Sequence, residues 1–479
     1  MSEHSGFPRL AESSRPLPVT FGEIAGFAKD PYACMHALWQ EHGDVAALQE
    51  GEQRVYFAFG PEFNKQILTD TQRFHSRFFA IRGPKNSPQR RLTSGLLSMN
   101  GDLHKQHRRT VQEPFQKRAI VGYHDAVLGV SEEMTREWSA GSTLDINEEM
   151  TQYMLRLTSL IVFGLDCRDL ALRIGELTET WVALNHKVGI TALVSDPSTA
   201  EDYERLLDVA VELEKAVKEM IALRRSGRVG FDVLSLLLRA HDVDTTVNDD
   251  QLVGHIVLMF GAAHLTSAHS LTWTLFLLAQ HPEVMSQLHA ELDANLNGQP
   301  PRPEHLEGLT VLDRVLKESM RILPASSFLH RMTAEPVEMG PFQLPAGAVV
   351  IFSQLMTHHM PSLYPEPEKF HPDRWLTSSP SPYAYLPFGG GARMCIGAAL
   401  GTMQLKISLI RMLQQFRFSI PAHTSVNARV MSTMLFPVGR IPMQIEKQDG
   451  QFSANPVRGN VLRFVTLPDK QAAAERKAA

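Results

Sequence analysis

Cysteine is scarce. Three residues in 479, Cys34, Cys167 and Cys395, lie too far apart for a disulfide framework or a four-cysteine zinc site. A disulfide-stapled secreted fold is excluded, and a reducing compartment is expected. Excess charge is lacking as well: 47 Lys and Arg stand against 52 Asp and Glu, a net charge of −5, so no overall basic field argues for nucleic acid. The first fifty residues carry no basic-then-apolar leader, and the prolines of Arg15-Pro16-Leu17-Pro18 would break a helix there, so a cytoplasmic protein is expected. No linker, internal repeat or low-complexity block divides the chain, although it is longer than the ~150 residues of a common domain. With 43% apolar and 21% charged residues it has the material for a large core.

One absence is local. From Gln251 to Gln280 there is no Asp, Glu, Lys or Arg, and ~18 apolar residues would suffice to span a membrane. However, Gln251, His255, His264, Thr266, Ser267, His269 and Ser270 interrupt the run, which stands alone in mid-chain behind Asp249-Asp250. The pattern predicts a helix of about 30 residues, about 45 Å long, running through the centre of a large domain. No membrane span is expected.

Apolar spacing of three and four predicts further helices over Glu201 to Arg224, Pro282 to Leu296, Leu309 to Leu323 and Ala398 to Phe416. Strand-like runs are fewer: Val55 to Phe59, Ala348 to Ser353, and Val430 to Ile445 with a turn at Pro437-Val438-Gly439. The expected class is mainly α, a helix-dominated α+β chain. Pro361 to Pro387 reads as a long ordered meander. After Lys447 the periodicity lapses, leaving a strand candidate at Asn460 to Thr466 and a helical or frayed end at Gln471 to Ala479. The expected division is therefore a main domain over 1–447 and a C-terminal extension over 448–479.

The segment richest in chemistry is Phe388-Gly389-Gly390-Gly391-Ala392-Arg393-Met394-Cys395-Ile396-Gly397. It fits F-x-x-G-x-R-x-C-x-G, a glycine-rich bend that delivers a cysteine to the start of a helix. Free N–H groups and the positive dipole end there favour a thiolate, the species that binds metal. Gly391 and Gly397 allow the backbone to approach a flat ligand, and Arg393 can reach an anionic group at its edge. A P-loop is excluded because no Gly-Lys-Ser/Thr follows.

On this motif the chain resembles the haem-thiolate monooxygenases of the cytochrome P450 superfamily, in particular their soluble bacterial branch. The resemblance covers roughly Arg9 to Lys447 and implies the triangular, helix-rich fold with a long central helix and small sheets. It implies haem b as cofactor, with Cys395 as the iron ligand and Phe388, Gly391, Arg393 and Gly397 around it. Glu318-Ser319-Met320-Arg321 looks like the family's E-x-x-R pair, and Phe370-His371-Pro372-Asp373-Arg374-Trp375 like its F-x-P-x-R-W segment. Glu318 and Arg321 share a helix face, and Arg374 can add a second charged hydrogen bond to the same carboxylate. His104 and Arg108, one turn apart, resemble the family's H-x-x-x-R pair for the haem propionates, and Arg331 is a third propionate candidate. Zinc at His358-His359 or His104 is a weak rival for want of further ligands.

In the uncharged helix, Ala262-Ala263-His264-Leu265-Thr266-Ser267 aligns with the family's oxygen-activation motif, but Leu265 replaces the proton-relaying acid. The alcohol, Thr266, is the catalytic candidate, and it shares a face with Met259, Ala262 and Ala263. A leucine cannot relay protons, so an atypical oxidation is expected: desaturation, ring formation or oxidative coupling in place of plain hydroxylation. The substrate expected is a mostly apolar small molecule in a secondary-metabolite tailoring step, walled by Phe78, Phe79, Met259, Ala262, Ala263, Phe328 and Leu435. A basic, acid-free stretch from Arg73 to Arg91 reads by default as a solvated loop, the alternative being that one of its cations meets an anionic group on the substrate. Electrons are expected from a separate ferredoxin or flavodoxin-type donor with its reductase, docking near Lys105, Arg109 and Lys406. Two alternatives are a peroxide-driven haem peroxygenase, whose relatives replace the threonine region by an Arg-Pro pair absent here, and a non-enzymatic haem-thiolate sensor, which would not require Thr266.

Overall fold

Asn248 opens the uncharged helix with a reciprocal cap. Its side chain accepts from the Gln251 amide at 2.9 Å, and the Gln251 side chain accepts from the Asn248 amide at 3.0 Å. The helix runs Asp249–Gln280, 32 residues, or about 48 Å. Pro282 ends it, because a residue preceding proline leaves the helical region; His281 is extended, and its ring hydrogen-bonds the Leu277 carbonyl at 2.7 Å. This computed structural model describes residues 16–76, 81–164, 166–193, 198–227, 230–243 and 247–468.

The central helix threads two hydrophobic cores. Leu252, Val253, Ile256, Val257 and Phe260 belong to one, beneath helices Arg168–Leu193, Thr199–Ser226 and Val233–Val243. Ala268 to Ala279 belong to the larger core, packed on helices His124–Glu137, Ile146–Phe163, Thr310–Ile322 and Ala398–Gln415. Among the described residues it is the one helix apolar and long enough for a membrane span, and its C-terminal half is enclosed by protein. Burial dips between the two cores, from Leu258 to Ser267, and Ala262 is exposed there.

The described strands are short: β1 Val19–Phe21, β2 Val45–Glu50, β3 Gln53–Ala58, β4 Phe74–His75, β5 Thr143–Asp145, β6 Leu329–Thr333 and β7 Val337–Met339. They continue with β8 Phe342–Leu344, β9 Val349–Phe352, β10 Phe416–Ser419, β11 Asn427–Met431, β12 Met434–Val438 and β13 Pro442–Lys447. Six form a mixed sheet in the order β1-β2-β3-β9-β6-β4, with Tyr56 opposite Val350 and Arg331 opposite the same Val350 from the other side. The others form β10-β13-β5 and the pairs β11-β12 and β7-β8.

Two sequence expectations are corrected. The reversal expected at Pro437-Val438-Gly439 falls earlier: β11 and β12 turn at Ser432-Thr433, with Ser432 at φ 54°, and Pro437 and Val438 belong to β12. Asn460 to Thr466 is not a strand. Its apolar residues Val461, Phe464 and Val465 recur at three and four, a helical spacing, and a 3-10 helix covers Asn460–Arg463. All three are buried in the main core, so the segment after Lys447 packs with the body of the chain as far as it is described. Residues 471–479 lie outside the described residues.

Candidate active site

The Cys loop closes on itself, the Cys395 amide donating to the Phe388 carbonyl at 2.8 Å and the Met394 amide to Gly391 at 3.1 Å. Gly391 adopts φ +65°, and a Cβ there would sit 2.2 Å from the Leu68 carbonyl oxygen. Glycine is required at this position because the loop presses on the end of helix Pro61–Thr69, with the Leu68 carbonyl as close neighbour. Gly397 precedes helix Ala398–Gln415, and its N–H hydrogen-bonds the Cys395 sulfur. Cys395 keeps much of its side chain accessible, yet its surroundings raise the thiol pKa. Burial outweighs the Gly397 N–H and the Arg108 charge, which pull the other way. The Gly397 N–H at the helix start and the Arg108 charge favour a thiolate, and desolvation opposes them. Phe388 packs against the main core.

Helix Gly101–Val111 brings His104 and Arg108 to the loop, and β6 brings Arg331. Arg108 donates to the Met394 carbonyl at 2.7 Å, and Arg331 donates to the His330 carbonyl at 2.8 Å while lying over the Phe352 ring. Arg393 donates to the Met99 carbonyl and, at 2.8 Å, to Asn100 Oδ1. Asn100, not anticipated from sequence, is fixed by bonds in both directions with the Ser76 backbone at 2.7 and 3.0 Å. These four basic groups disfavour one another. Burial and then Arg393, Arg108 and Arg331 push His104 down to about 4. Burial and then Arg393 lower Arg331 to about 10, and burial and then Arg108 lower Arg393 to about 10. Burial also lowers Arg108, against the pull of Cys395. Among the described residues no carboxylate acts on any of the four.

On the central helix, Thr266 and Ala263 are partly exposed, like Met259, and Ala262 is exposed. The Thr266 hydroxyl donates to the Ala262 carbonyl at 2.7 Å, leaving its oxygen free to accept. Leu265, partly buried, lies about 100° round the helix from Thr266.

Glu318 is fully buried and receives Arg321 at 2.9 Å on both oxygens, Arg374 at 2.8 Å, Trp375 Nε1 at 3.0 Å and the His371 amide at 3.1 Å. Burial raises its pKa, and the arginines and the amide lower it further, for a net depression. His358, also missed in the sequence, extends this network: its Nδ1 bonds the Arg321 carbonyl and its Nε2 accepts from the Leu386 amide. The two ring nitrogens of His359 face the Leu355 and Phe464 carbonyls, to one of which the neutral ring donates. Each ring nitrogen of this pair faces backbone, and among the described residues no group of His, Cys, Asp or Glu gathers there that could hold a metal ion.

Several expected positions fall elsewhere. Phe328 turns its ring onto Phe27, centroids 5.4 Å apart, inside the main core. Leu435 is fully buried there, its carbonyl accepting from Trp273 Nε1. Strand alternation sends Met434 and Phe436 to the opposite face of β12. Phe78, Phe79 and Arg77 lie outside the described residues. In the basic stretch, Arg73 pairs with Glu335 and Asp70, and Arg91 with Glu214. Two of its cations are thereby neutralised by distant acids. Lys406 is buried against Asp313 and the Leu306 carbonyl, so it cannot serve an incoming donor; Lys105 and Arg109 are exposed.

The family model for Cytochrome P450 matches residues 13–445. The chain belongs to that family, an oxidoreductase class that implies haem iron, a small-molecule substrate and a redox partner. It is similar to the cyclooctatin synthase of Streptomyces melanosporofaciens, 30% identical over 89% of this chain and 94% of that one. It is also similar to the cyclooctat-9-en-7-ol 5-monooxygenase of the same organism, 32% identical over 78% and 83%. The pentalenene oxygenase of Streptomyces avermitilis is 27% identical over 91% and 97%. A retinoic acid-bound cyanobacterial CYP120A1 superposes with a TM-score of 0.78 at 22% identity, over 90% of this chain and all of that one, a likeness of fold.

Proposed function

We propose that the chain is a cytoplasmic haem b monooxygenase that oxidises a cyclic terpenoid in a secondary-metabolite tailoring step, with electrons from a separate ferredoxin or flavodoxin. One observation carries the reading: His104 and Arg331, buried, and Arg108 and Arg393, partly buried, converge with no acid among the described residues to neutralise them. Buried cations require partners, and two carboxylates on one rigid ring system fit this arrangement. The cluster, the nearby Cys395 sulfur and the poorly buried stretch of the central helix fit haem and its propionates. The names of the relatives support the terpenoid class.

Haem iron would supply dioxygen binding and one-electron chemistry. Cys395 would hold it as a thiolate. The cation cluster would neutralise and orient the propionates. Glu318, Arg321 and Arg374 fasten helix Thr310–Ile322 to the meander and so brace the Cys loop from behind. Ala262 and Ala263 keep this part of the helix surface small, and Thr266, its own proton committed to the Ala262 carbonyl, keeps a hydroxyl oxygen able to accept a hydrogen bond. Leu265 puts no carboxylate on that path. This supports an oxidation in which the substrate or solvent supplies protons, such as desaturation, ring formation or coupling.

The test is reconstitution with ferredoxin, its reductase and NADPH against a panel of cyclic sesquiterpenes and diterpenes. Oxidised products that depend on the reductase are expected. Turnover with hydrogen peroxide alone would favour the peroxygenase, and ligand-induced spectral change without any product would favour the sensor.

A further inference from the structure

Along the central helix, positions 255, 259, 262, 266, 269 and 273 recur at intervals of four, three, four, three and four, so His255, Met259, Ala262, Thr266, His269 and Trp273 form one stripe. Exposed Ala262 and partly exposed Thr266 lie at its middle. Most polar groups on the stripe are engaged. His255 Nε2 meets His107 Nδ1 at 2.9 Å, Thr266 donates to Ala262, and Trp273 donates to Leu435. His269 differs. One turn beyond Thr266 and 3% exposed, it stands edge-on to the Phe436 ring, centroids 4.5 Å apart at 62°, and makes no hydrogen bond among the described residues.

Burial, with a small contribution from His264, pushes this imidazole down to about 3, so at neutral pH it holds one N–H donor and one bare nitrogen acceptor. Its Nδ1 is buried without a partner among the described residues, and leaving such a nitrogen unmatched is unfavourable. The ring in contact, Phe436, offers no acceptor or donor from its side chain, and His264, the other titratable group acting on this imidazole, makes its own bond to the Thr151 carbonyl. A neutral donor–acceptor beside an aromatic ring fits neither a carboxylate nor a bare hydrocarbon. It fits a hydroxyl or ketone.

We infer that His269 is the hydrogen-bonding group of the substrate pocket, and that the substrate is a cyclic hydrocarbon skeleton that already bears a hydroxyl or carbonyl. This rests on the proposed function in one respect, that substrate lies beside Ala262 and Thr266. The hydrogen bond fixes the skeleton's orientation, so that oxidation falls on a carbon at a set distance from the existing oxygen. The reaction preceding this one must then install that oxygen, either by an earlier oxidation or by water quenching a carbocation during cyclisation.

The experiment titrates the haem-loaded protein with matched probes, decalin against decalol and cyclododecane against cyclododecanol, by calorimetry and by the haem absorption shift. The native protein is expected to prefer each alcohol by at least about tenfold. His269→Phe keeps ring shape without nitrogen and should reduce the preference to within about twofold, while leaving hydrocarbon affinity equal or better. His269→Gln, with a donor and an acceptor, should restore part of it, which a merely structural role would not do. An unchanged preference in His269→Phe, or no preference in the native protein, would overturn the inference. If calorimetry shows the preference and its loss but the haem band does not respond, the placement of substrate beside haem fails and the His269 contact stands.

Discussion

Arg331 on β6 and Arg393 in the Cys loop are brought together from 62 residues apart in sequence, and in their buried setting the charge of Arg393 helps lower Arg331 to about 10. Two cations driven together without an acid store unfavourable energy, which the protein releases when an anion arrives.

The first prediction follows from that relationship. Arg331→Leu should make the haem-free protein more stable, by about 1–3 kcal/mol if the depressed pKa is read as free energy and offset by the lost contacts to His330 and Phe352. The same variant should bind haem less tightly. Urea unfolding of the haem-free protein and the haem-to-protein ratio after purification check the two halves. A variant that is less stable without haem would assign Arg331 an ordinary packing role.

Removing one member of the Glu318 network should have the opposite character. Glu318 has four protein partners at zero exposure, so Glu318→Ala strands Arg321 and should cost about 3–5 kcal/mol with or without haem. Chemical denaturation measures it, and a loss under about 1 kcal/mol would mean that water replaces the carboxylate easily.

Acid sensitivity follows from the buried histidines. Burial is the first cause holding His255 and His269 down to about 3 and His281 and His359 to about 4. Unfolded histidine titrates near ~6.5, so between these values the unfolded chain binds protons that the folded chain refuses. Stability is therefore fully present above about pH 6.5 and declines as pH falls toward 4, by about 1.4 kcal/mol per pH unit for each such group. The depressed Glu318 carboxyl adds a loss at still lower pH. Urea midpoints should agree between pH 7.5 and 8.5 and fall steeply by pH 5.5; a flat profile would contradict the neutral, buried assignment.

The missing acid is tested by Leu265→Asp. If proton supply limits turnover, the substitution should raise the fraction of NADPH electrons that reach product, by about twofold or more. Equal coupling in both proteins would separate the unusual motif from the reaction outcome.

What the sequence made legible was local. The uncharged run from Gln251 to Gln280 behind Asp249-Asp250 specified a helix within two residues of its observed start, since a long apolar run is a local signal. The Cys loop was legible because Phe388, Gly391, Arg393, Cys395 and Gly397 lie within ten residues. Contacts made at long range were not. Nothing near Gly391 announces that the Leu68 carbonyl abuts it, and nothing near Asn100 announces that it will hold Arg393. Lys406 looked like a surface charge until Asp313 and Leu306 enclosed it. The inward turn of Leu435 depended on the pairing of β11 with β12, whose reversal lies at Ser432 and not at Gly439.

The most direct measurement is the absorption spectrum of the purified protein, reduced and treated with carbon monoxide, alongside Cys395→Ala. A strongly red-shifted band in the native protein that vanishes in Cys395→Ala is the result expected of a thiolate bonded to haem iron. Absence of porphyrin from the native protein, or the same band in Cys395→Ala, would contradict the assignment of this site.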